Sequence, residues 1–422
     1  MSDRDEGEER LKRVRIKEQT LKTKPERAKL MNQKILSPEV QQYILKHIKD
    51  DVNQIALAKP VFEGVRSTAL ASQIAAKKKS LHKLPTWYHQ NYIYYPPLLS
   101  IEQCSSELTA AYKANLIIGN TLIDLTAGFG VDSFFFSKKA QKVTSCEIDT
   151  ELSAISAHNV KILGANNIKC LAADGIKIMK EKGLNFDTIY IDPARRSGST
   201  KVFKLKECTP DVTSHLNLFR EKSQRIIIKT APLLDISAGI AELQNVSEIH
   251  IVSVKNECKE LIWIIDRNYT SETKIICITI NEITKTFSFG LSALQTRINI
   301  ATIAPAGYLY EPDVALLKSG AFNLIADQFE LQKLHQHSHL YFSDVIKSDF
   351  LGRIFEIETL LTLNELKKEK NLIGNVIVRN FPEKAEHLVK KYKITPSHDD
   401  FIIFTQSSNG YLAIKARIIQ YY

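Results

Sequence analysis

Between residues 121 and 230, short apolar segments alternate with helical segments, and this rhythm constrains the fold more than any other feature of the chain. Helix-like sequence separates successive segments of strand length, namely TLIDLT, KVTSCEID, IKCLAAD, FDTIYID and RIIIKTAP. Parallel neighbouring strands require a crossover, usually a helix, so the alternation predicts βαβ units. The sequence therefore predicts an α/β fold with a doubly wound, mostly parallel sheet.

The segments on either side of this region have different patterns. A charged extension over 1–34 precedes a helical region over 35–119, in which Ser37-Pro38-Glu39 is typical of a helix start. The strands in 246–281 follow one another with turns alone, which predicts an antiparallel end to the sheet. The sheet domain is therefore placed at 120–285, followed by a connecting α+β subdomain at 286–330 and a smaller C-terminal α+β domain at 331–422.

Charge and composition indicate the cellular setting. The formal net charge is +10, and basic residues cluster in 10–34, at 77–79 and at 390–393. Such clusters suit a polyanion such as RNA, and they are equally typical of solvated helix faces. The six cysteines form no CxxC pair, so we expect reduced thiols and no metal site. The charged start and the lack of a long apolar run predict a cytoplasmic protein that does not associate with a membrane.

The first predicted strand runs into a glycine-rich turn, Asp124-Leu-Thr-Ala-Gly-Phe-Gly130. Gly128 and Gly130 allow the backbone to turn sharply and to approach a ligand closely. A GxG pair is weak evidence by itself. Its position between a strand and a helix is what a nucleotide site requires.

The next three strands also end in polar residues. Glu147, about 20 residues after the glycines, is placed to accept hydrogen bonds from a ribose, Asp174 is placed to accept from an adenine amine, and the fourth strand ends in Asp192-Pro193. Each signal has an ordinary alternative: a surface acid, a helix N-cap and a strand terminator, respectively. Their joint occurrence predicts a ligand site at the carboxyl edge of the sheet.

The motifs DLTAGFGVD, CEID, AADG and YIDPARR resemble those of class I S-adenosylmethionine-dependent methyltransferases. The whole chain resembles the bacterial members of that class that carry a C-terminal THUMP-like domain. The resemblance implies S-adenosylmethionine as the cofactor and a Rossmann-like sheet, with a ferredoxin-like connection at 286–330 and the THUMP-like domain at 331–422. It implies that the cofactor is bound by Asp124, Thr126, Ala127, Gly128, Gly130, Glu147, Ile148, Asp174 and Asp192.

A dinucleotide oxidoreductase is the obvious rival for a GxG turn in such a sheet. Its expected GxGxxG motif is incomplete here, because Ser133 stands where the third glycine belongs. The strand end at Asp192 also resembles the methyltransferase pattern more closely.

The resemblance further implies that Asp192 and Pro193 face the methyl acceptor and are the catalytic pair. DPARR departs from the (D/N)PPY motif of amino-methylating enzymes, because Ala194 replaces a proline and Arg195 replaces the aromatic residue. Stacking on a flipped base must then come from elsewhere, with the aromatic run around Tyr94 as the candidate. Arg195 and Arg196 are predicted to grip a substrate phosphate or carboxylate, or alternatively to form a structural salt bridge.

RNA 5-methyluridine methyltransferases have a similar strand end but use a cysteine after the fifth strand. Lys229-Thr230-Ala231-Pro232 occupies that position here, without a cysteine, which argues against covalent catalysis at carbon 5. We therefore expect methylation of a nitrogen of an RNA base. The alternatives are a methyltransferase acting on a small molecule or a protein, and a non-catalytic protein that binds S-adenosylmethionine or nucleic acid.

Overall fold

The computed structural model of the chain describes residues 31–181, 183–195 and 204–422. These residues form two compact units. The first unit contains the described residues up to Ala110 and the segment Asp124–Ile178, and the second contains Ala111–Ile123 and Met179–Tyr422. Residues 1–30 of the predicted charged extension, together with Arg196, lie outside the described residues.

The region before the sheet is helical, as the sequence predicts. Its first helix begins at Pro38, directly after Ser37, whose backbone is extended. The longest helix of the predicted region runs over Ser67–Lys83, where Leu70, Ile74 and Ala76 are buried. The helices of this region are Pro38–Lys46 (α1), Val52–Leu57 (α2), Ser67–Lys83 (α3), Pro85–His89 (α4), Leu98–Gln103 (α5) and Glu107–Ala114 (α6).

Strands and helices then alternate, as the apolar rhythm predicts. The elements are Thr121–Asp124 (β1), Val131–Ser137 (α7), Lys142–Glu147 (β2), Thr150–Ile162 (α8), Ile168–Ala172 (β3), Gly175–Met179 (α9), Phe186–Ile191 (β4), Ala194–Arg195 (β5), Cys208–Thr209 (β6), Val212–Lys222 (α10), Ser223–Thr230 (β7) and Ile236–Leu243 (α11). β2 pairs in parallel with β3, and β4 pairs in parallel with β7. β5 and β6 form a separate two-stranded ribbon.

Four further strands follow α11: Glu248–Val254 (β8), Glu257–Asp266 (β9), Lys274–Ile280 (β10) and Thr284–Gly290 (β11). The large sheet has nine strands in the order β11-β10-β8-β9-β7-β4-β1-β2-β3. β9 is antiparallel to both β7 and β8. The predicted fold class, a largely parallel sheet with an antiparallel end, is confirmed.

One detail of this end differs from the sequence prediction. β10 was expected to be antiparallel, yet it runs parallel to β8, with Ile276 opposite His250. The reason is that β7 and β8 occupy both edges of β9. The chain reverses after β9 and can pair only at the other edge of β8, where it necessarily runs in the same direction as β8.

The rest of the chain builds a second sheet of seven strands. Their order in the sheet is Gln332–Lys333, Tyr341–Ser343, Tyr308–Pro312, Gly352–Thr362, Gly410–Gln420, Asp400–Ser407 and Asn375–Arg379. Both faces are covered: Phe401 and Ile403 pack in one apolar cluster, and Ile402 and Phe404 pack in another. The elements are Tyr308–Pro312 (β12), Val314–Ser319 (α12), Phe322–Gln328 (α13), Gln332–Lys333 (β13), Tyr341–Ser343 (β14), Gly352–Thr362 (β15), Leu363–Leu366 (α14), Asn375–Arg379 (β16), Ala385–Tyr392 (α15), Asp400–Ser407 (β17) and Gly410–Gln420 (β18).

Across the part of the chain that the structure describes, no helix has the length and apolarity needed to cross a bilayer. Within the same ranges, no group of three or more His, Cys, Asp or Glu side chains is arranged to hold a metal ion.

Candidate functional site

Asp124 is the last residue of β1 and is fully buried. Its Oδ1 accepts the Thr126 N–H at 3.0 Å, and its Oδ2 accepts the Ser133 hydroxyl at 2.6 Å. The carboxylate thus ties the strand end both to the following turn and to α7. The structure gives Ser133, which the sequence singled out only as a missing glycine, a definite role in holding Asp124.

The turn at 125–130, here called the glycine loop, is held by backbone hydrogen bonds. Ala127 N–H donates to the Cys146 carbonyl at 2.9 Å, and Gly130 N–H donates to the Ala127 carbonyl at 2.8 Å. Gly128 has φ +55° and Gly130 has φ +84°, which is the left-handed region that glycine adopts most readily. A Cβ on Gly130 would overlap the Ser156 hydroxyl, whereas a Cβ on Gly128 would have no neighbour within 4 Å. Gly128 therefore faces open space.

Glu147 ends β2, and both of its carboxylate oxygens are oriented by backbone donors. Oε2 accepts the Gly128 N–H at 2.8 Å, and Oε1 accepts the Asp149 N–H at 2.9 Å. Next to it, Ile148 has 74% of its surface exposed, although isoleucine is among the residues most often buried. An oriented carboxylate beside an exposed apolar side chain suits a ligand that has a hydroxylated ring and a flat apolar group.

Asp174 follows β3, and its Oδ1 accepts the Ile176 N–H at 2.9 Å at the start of α9. The N-cap-like role that the sequence left open is therefore real, and it is compatible with a further contact because a carboxylate has several acceptor positions. Gly175, which lies between Asp174 and Ile176, packs so closely against the glycine loop that a Cβ on it would lie 2.9 Å from Leu125 Cα. The sequence showed Gly175 within AADG but gave no signal of this contact.

Within the first unit, the structure thus brings the predicted cofactor residues from Asp124 to Asp174 to one place. Hydrogen bonds join the glycine loop to the end of β2, and close packing joins the loop to the start of α9. The exposed Ile148 lies on the same edge of the sheet as these residues. We call this set the cofactor rim.

The aromatic run at 92–95 has one exposed and two buried tyrosines. Tyr92 is 42% exposed, whereas Tyr94 is 7% exposed, and Tyr95 is also buried. Asn159 clasps the Tyr94 backbone through its Oδ1 and Nδ2, at 3.0 and 2.9 Å, and burial raises the pKa of the Tyr94 hydroxyl. Base stacking by Tyr94 stays a prediction, and its ring lies in the packed interior of the first unit.

In the second unit, Asp192 follows β4, and its Oδ2 accepts from Lys229 Nζ at 2.6 Å. Pro193 is buried beside it. The sequence noted Lys229 only as part of a segment without a cysteine. Its pairing with Asp192 depends on the register between β4 and β7, which the sequence does not reveal.

The predicted arginine grip has a defined backbone at one position. Arg195 lies in β5, opposite Cys208 of β6. Arg196, its predicted companion, lies outside the described residues. The role of this pair in holding substrate stays a prediction.

The cysteines have the character of structural thiols. All six cysteines lie within the described residues, and none forms a disulfide there. Burial raises the pKa of Cys146 and Cys277 to about 12 and that of Cys258 to about 11. A protonated, buried thiol is a poor nucleophile. This argues against covalent catalysis by these three residues, in agreement with the lack of a cysteine in Lys229-Thr230-Ala231-Pro232.

Two models of known protein domains match the C-terminal part of the chain. A model of a ferredoxin-like domain matches residues 308–350, and a model described as THUMP domain-like matches residues 352–417. The first match covers β12 to β14 with the helices between them, and the second covers β15 to β17 and most of β18.

Relatives with similar sequence extend over most of the chain. In two strains of Mycobacterium tuberculosis, proteins described as uncharacterised S-adenosylmethionine-dependent methyltransferases are 20% identical over 322 residues, which is 74% of this chain and 85% of theirs. A solved structure of a proposed methyltransferase from Porphyromonas gingivalis W83 is 28% identical, with a TM-score of 0.82, and the match covers 93% of this chain and 100% of that one. The chain is thus a homologue of S-adenosylmethionine-dependent methyltransferases, and its own residues 352–417 match a THUMP domain-like model. These matches confirm the predicted fold, enzyme class and cofactor.

Proposed function

We propose that this protein transfers a methyl group from S-adenosylmethionine to a nitrogen of an RNA base. The observation that carries the RNA part is the THUMP domain-like match at 352–417. We infer from the resemblance to methyltransferases with a THUMP-like domain that this region is a platform for the RNA substrate. The net charge of +10 supports it, because cationic proteins bind nucleic acid by releasing condensed counterions.

The residues of the cofactor rim fit the proposed cofactor. The space beside Gly128, which a Cβ would fill, admits a ligand close to the backbone. The Glu147 carboxylate is oriented to accept from the two ribose hydroxyls, and the exposed Ile148 offers an apolar surface to the adenine ring. Asp174, with further acceptor capacity, would take the adenine amine.

When bound, S-adenosylmethionine supplies an electrophilic methyl group on a sulfonium. The protein needs mainly to align the acceptor and to exclude water, since a well-aligned displacement gains most of its rate from orientation. Asp192 would accept a hydrogen bond from the acceptor nitrogen and hold its lone pair in line. Pro193 supplies a rigid backbone at that point, because its φ is fixed.

Nitrogen is favoured over carbon 5 as the methyl acceptor. Carbon-5 methylation of uridine requires a nucleophile that adds to the ring. The end of β7 and the residues directly after it, Lys229-Thr230-Ala231-Pro232, contain no cysteine. The raised thiol pKa values of the buried cysteines point the same way.

The test compares modified nucleosides in RNA from cells with and without the gene, by mass spectrometry. We expect one N-methylated nucleoside to disappear without the gene and to return with the wild-type protein but not with Asp192→Ala. An unchanged nucleoside profile, or transfer of the labelled methyl group to protein or small molecules in its place, would contradict the proposal.

A further inference from the structure

Lys229 is a residue of the candidate site to which the proposed function assigns no role. β4 and β7 are parallel neighbours in which Ile191 lies opposite Ile228. The next residue on each strand is therefore adjacent, which brings Lys229 Nζ to 2.6 Å from Asp192 Oδ2. The side chains are 15% and 31% exposed, respectively, so the pair is partly shielded but reachable.

The frame around Lys229 is rigid. Ile228 on one side is fully buried, and on the other side the Thr230 hydroxyl accepts the indole N–H of Trp263 at 2.9 Å. Trp263 is itself fully buried and packs directly on Gly239, where a Cβ would overlap the indole ring. These contacts fix the backbone at Lys229, and the ion pair with Asp192 holds its ammonium in place.

The two groups have complementary hydrogen-bonding chemistry. An ionised carboxylate only accepts, and an ammonium only donates, with three N–H groups. Lys229 can therefore hold Asp192 and donate to a second acceptor at the same time. Side by side, the pair matches a ligand edge on which a donor lies next to an acceptor.

Exocyclic amines of nucleic-acid bases have such an edge. The amino groups of adenine, cytosine and guanine each lie beside a ring nitrogen that accepts a hydrogen bond, whereas uracil has no amino group. Asp192 would accept from the amine while Lys229 donates to the ring nitrogen next to it. A lone carboxylate would lack this second contact.

We propose that Lys229 is a specificity-determining residue that, together with Asp192, selects the exocyclic amine of a base as the methyl acceptor. The inference rests on the proposed function and narrows it from any base nitrogen to an amino nitrogen. In the reaction, the amine nitrogen forms a bond to the methyl carbon, and the carbon–sulfur bond breaks with its electron pair left on sulfur. The proton that the nitrogen loses passes to the Asp192 carboxylate and then to solvent.

The test uses the full chain with RNA from cells that lack the gene and labelled S-adenosylmethionine. Lys229→Met removes the donor, Lys229→Arg keeps a charged donor, and Lys274→Met is the matched control, a strand lysine of the second unit that is exposed. Loss of a charged hydrogen bond predicts that Lys229→Met raises the KM for RNA about 10- to 100-fold. We expect kcat to fall less, Lys229→Arg to recover most of the activity, and the control to match the wild type.

Calorimetric titration with S-adenosylmethionine shows whether each variant is folded, and an affinity within about twofold of the wild type is expected. If Lys229→Met does not fold, two other results still test the role of Lys229. They are the activity of Lys229→Arg relative to the wild type and the identity of the methylated product. An unchanged KM in a folded Lys229→Met variant would overturn the inference.

The product separates this inference from the proposed function. If the wild-type protein methylates no RNA, both the proposed function and the inference about Lys229 are wrong. A wild-type protein that methylates RNA at a ring nitrogen leaves the proposed function standing and overturns the assignment of Lys229. An N6-methyladenosine, N4-methylcytidine or N2-methylguanosine product that depends on Lys229 supports it.

Discussion

The substitution Gly128→Ala separates cofactor binding from stability, because the backbone at Gly128 is left-handed and the space beside it is open. Gly128 has φ +55°, and among the described residues no heavy atom outside Gly128 and its two chain neighbours lies within 4 Å of the position that a Cβ would take. Within these ranges, the new methyl group therefore meets no other residue. It enters only the space that the proposed cofactor would fill.

The cost divides into two parts. Holding an alanine in the left-handed region costs roughly 1–2 kcal/mol of folding free energy. Gly164, with φ +78° and likewise no neighbour within 4 Å, is a matched control in the same unit, because it lies outside the cofactor rim. Both variants should thus lose similar stability. Only Gly128→Ala should also crowd the ligand, which should cost about 1–3 kcal/mol of binding free energy. That loss corresponds to binding that is weaker by roughly 5- to 150-fold.

The measurements are thermal unfolding without ligand and calorimetric titration with S-adenosylmethionine. We expect both variants to unfold a few degrees below the wild type, and Gly164→Ala to bind like the wild type. The reasoning is refuted if Gly128→Ala binds S-adenosylmethionine with wild-type affinity, or if the two glycine variants lose affinity equally.

Four further substitutions test the site and the core. Glu147→Gln should weaken S-adenosylmethionine binding, and Asp192→Ala should abolish transfer while sparing that binding; calorimetry and a labelled-methyl assay check both, and the reverse pattern would exchange their roles. Lys113 Nζ lies 2.8 Å from the carboxylate of Glu260, which is only 3% exposed. Lys113→Met leaves that carboxylate buried without its cation, so the free energy of unfolding measured in urea should fall by about 3–5 kcal/mol. A fall below about 1 kcal/mol would contradict a buried ion pair. Burial lowers the pKa of Lys77 to about 8, from 10.5, so between those values the unfolded chain binds more protons and stability rises with pH; Lys77→Met should flatten that rise, and parallel curves would show that Lys77 titrates normally.

The sequence was informative where each signal was local. Strand ends such as Asp124 and Glu147 follow apolar runs of fixed length, and glycine spacing marks the turn between them. These features follow from side-chain periodicity and backbone sterics, which are properties of neighbouring residues. The parallel sheet, and the grouping of these residues at one of its edges, could therefore be predicted without coordinates; their binding of the cofactor stays a prediction.

The remaining features depend on contacts between distant parts of the chain. Lys229 contacts Asp192 only because of the register between β4 and β7, and β10 is parallel to β8 only because both edges of β9 are occupied. Likewise, the burial of Tyr94 depends on its backbone contacts with Asn159. No periodicity within a single segment encodes such pairings, so an aromatic run predicts rings but not which of them are exposed.

The cofactor rim is oriented before any ligand arrives. Both oxygens of Glu147 are held by backbone N–H groups, and Asp124 is held by Thr126 and Ser133. Fixing a glutamate side chain costs up to about 2 kcal/mol of conformational entropy, and here folding rather than binding meets that cost. The serine that interrupts the GxGxxG pattern is part of the same device, since its hydroxyl reaches Asp124 at 2.6 Å, which a glycine at that position has no atoms to do. The departure from the dinucleotide motif therefore has a physical reason. Asp124 is oriented by the Ser133 side chain of α7 as well as by the backbone of the glycine loop.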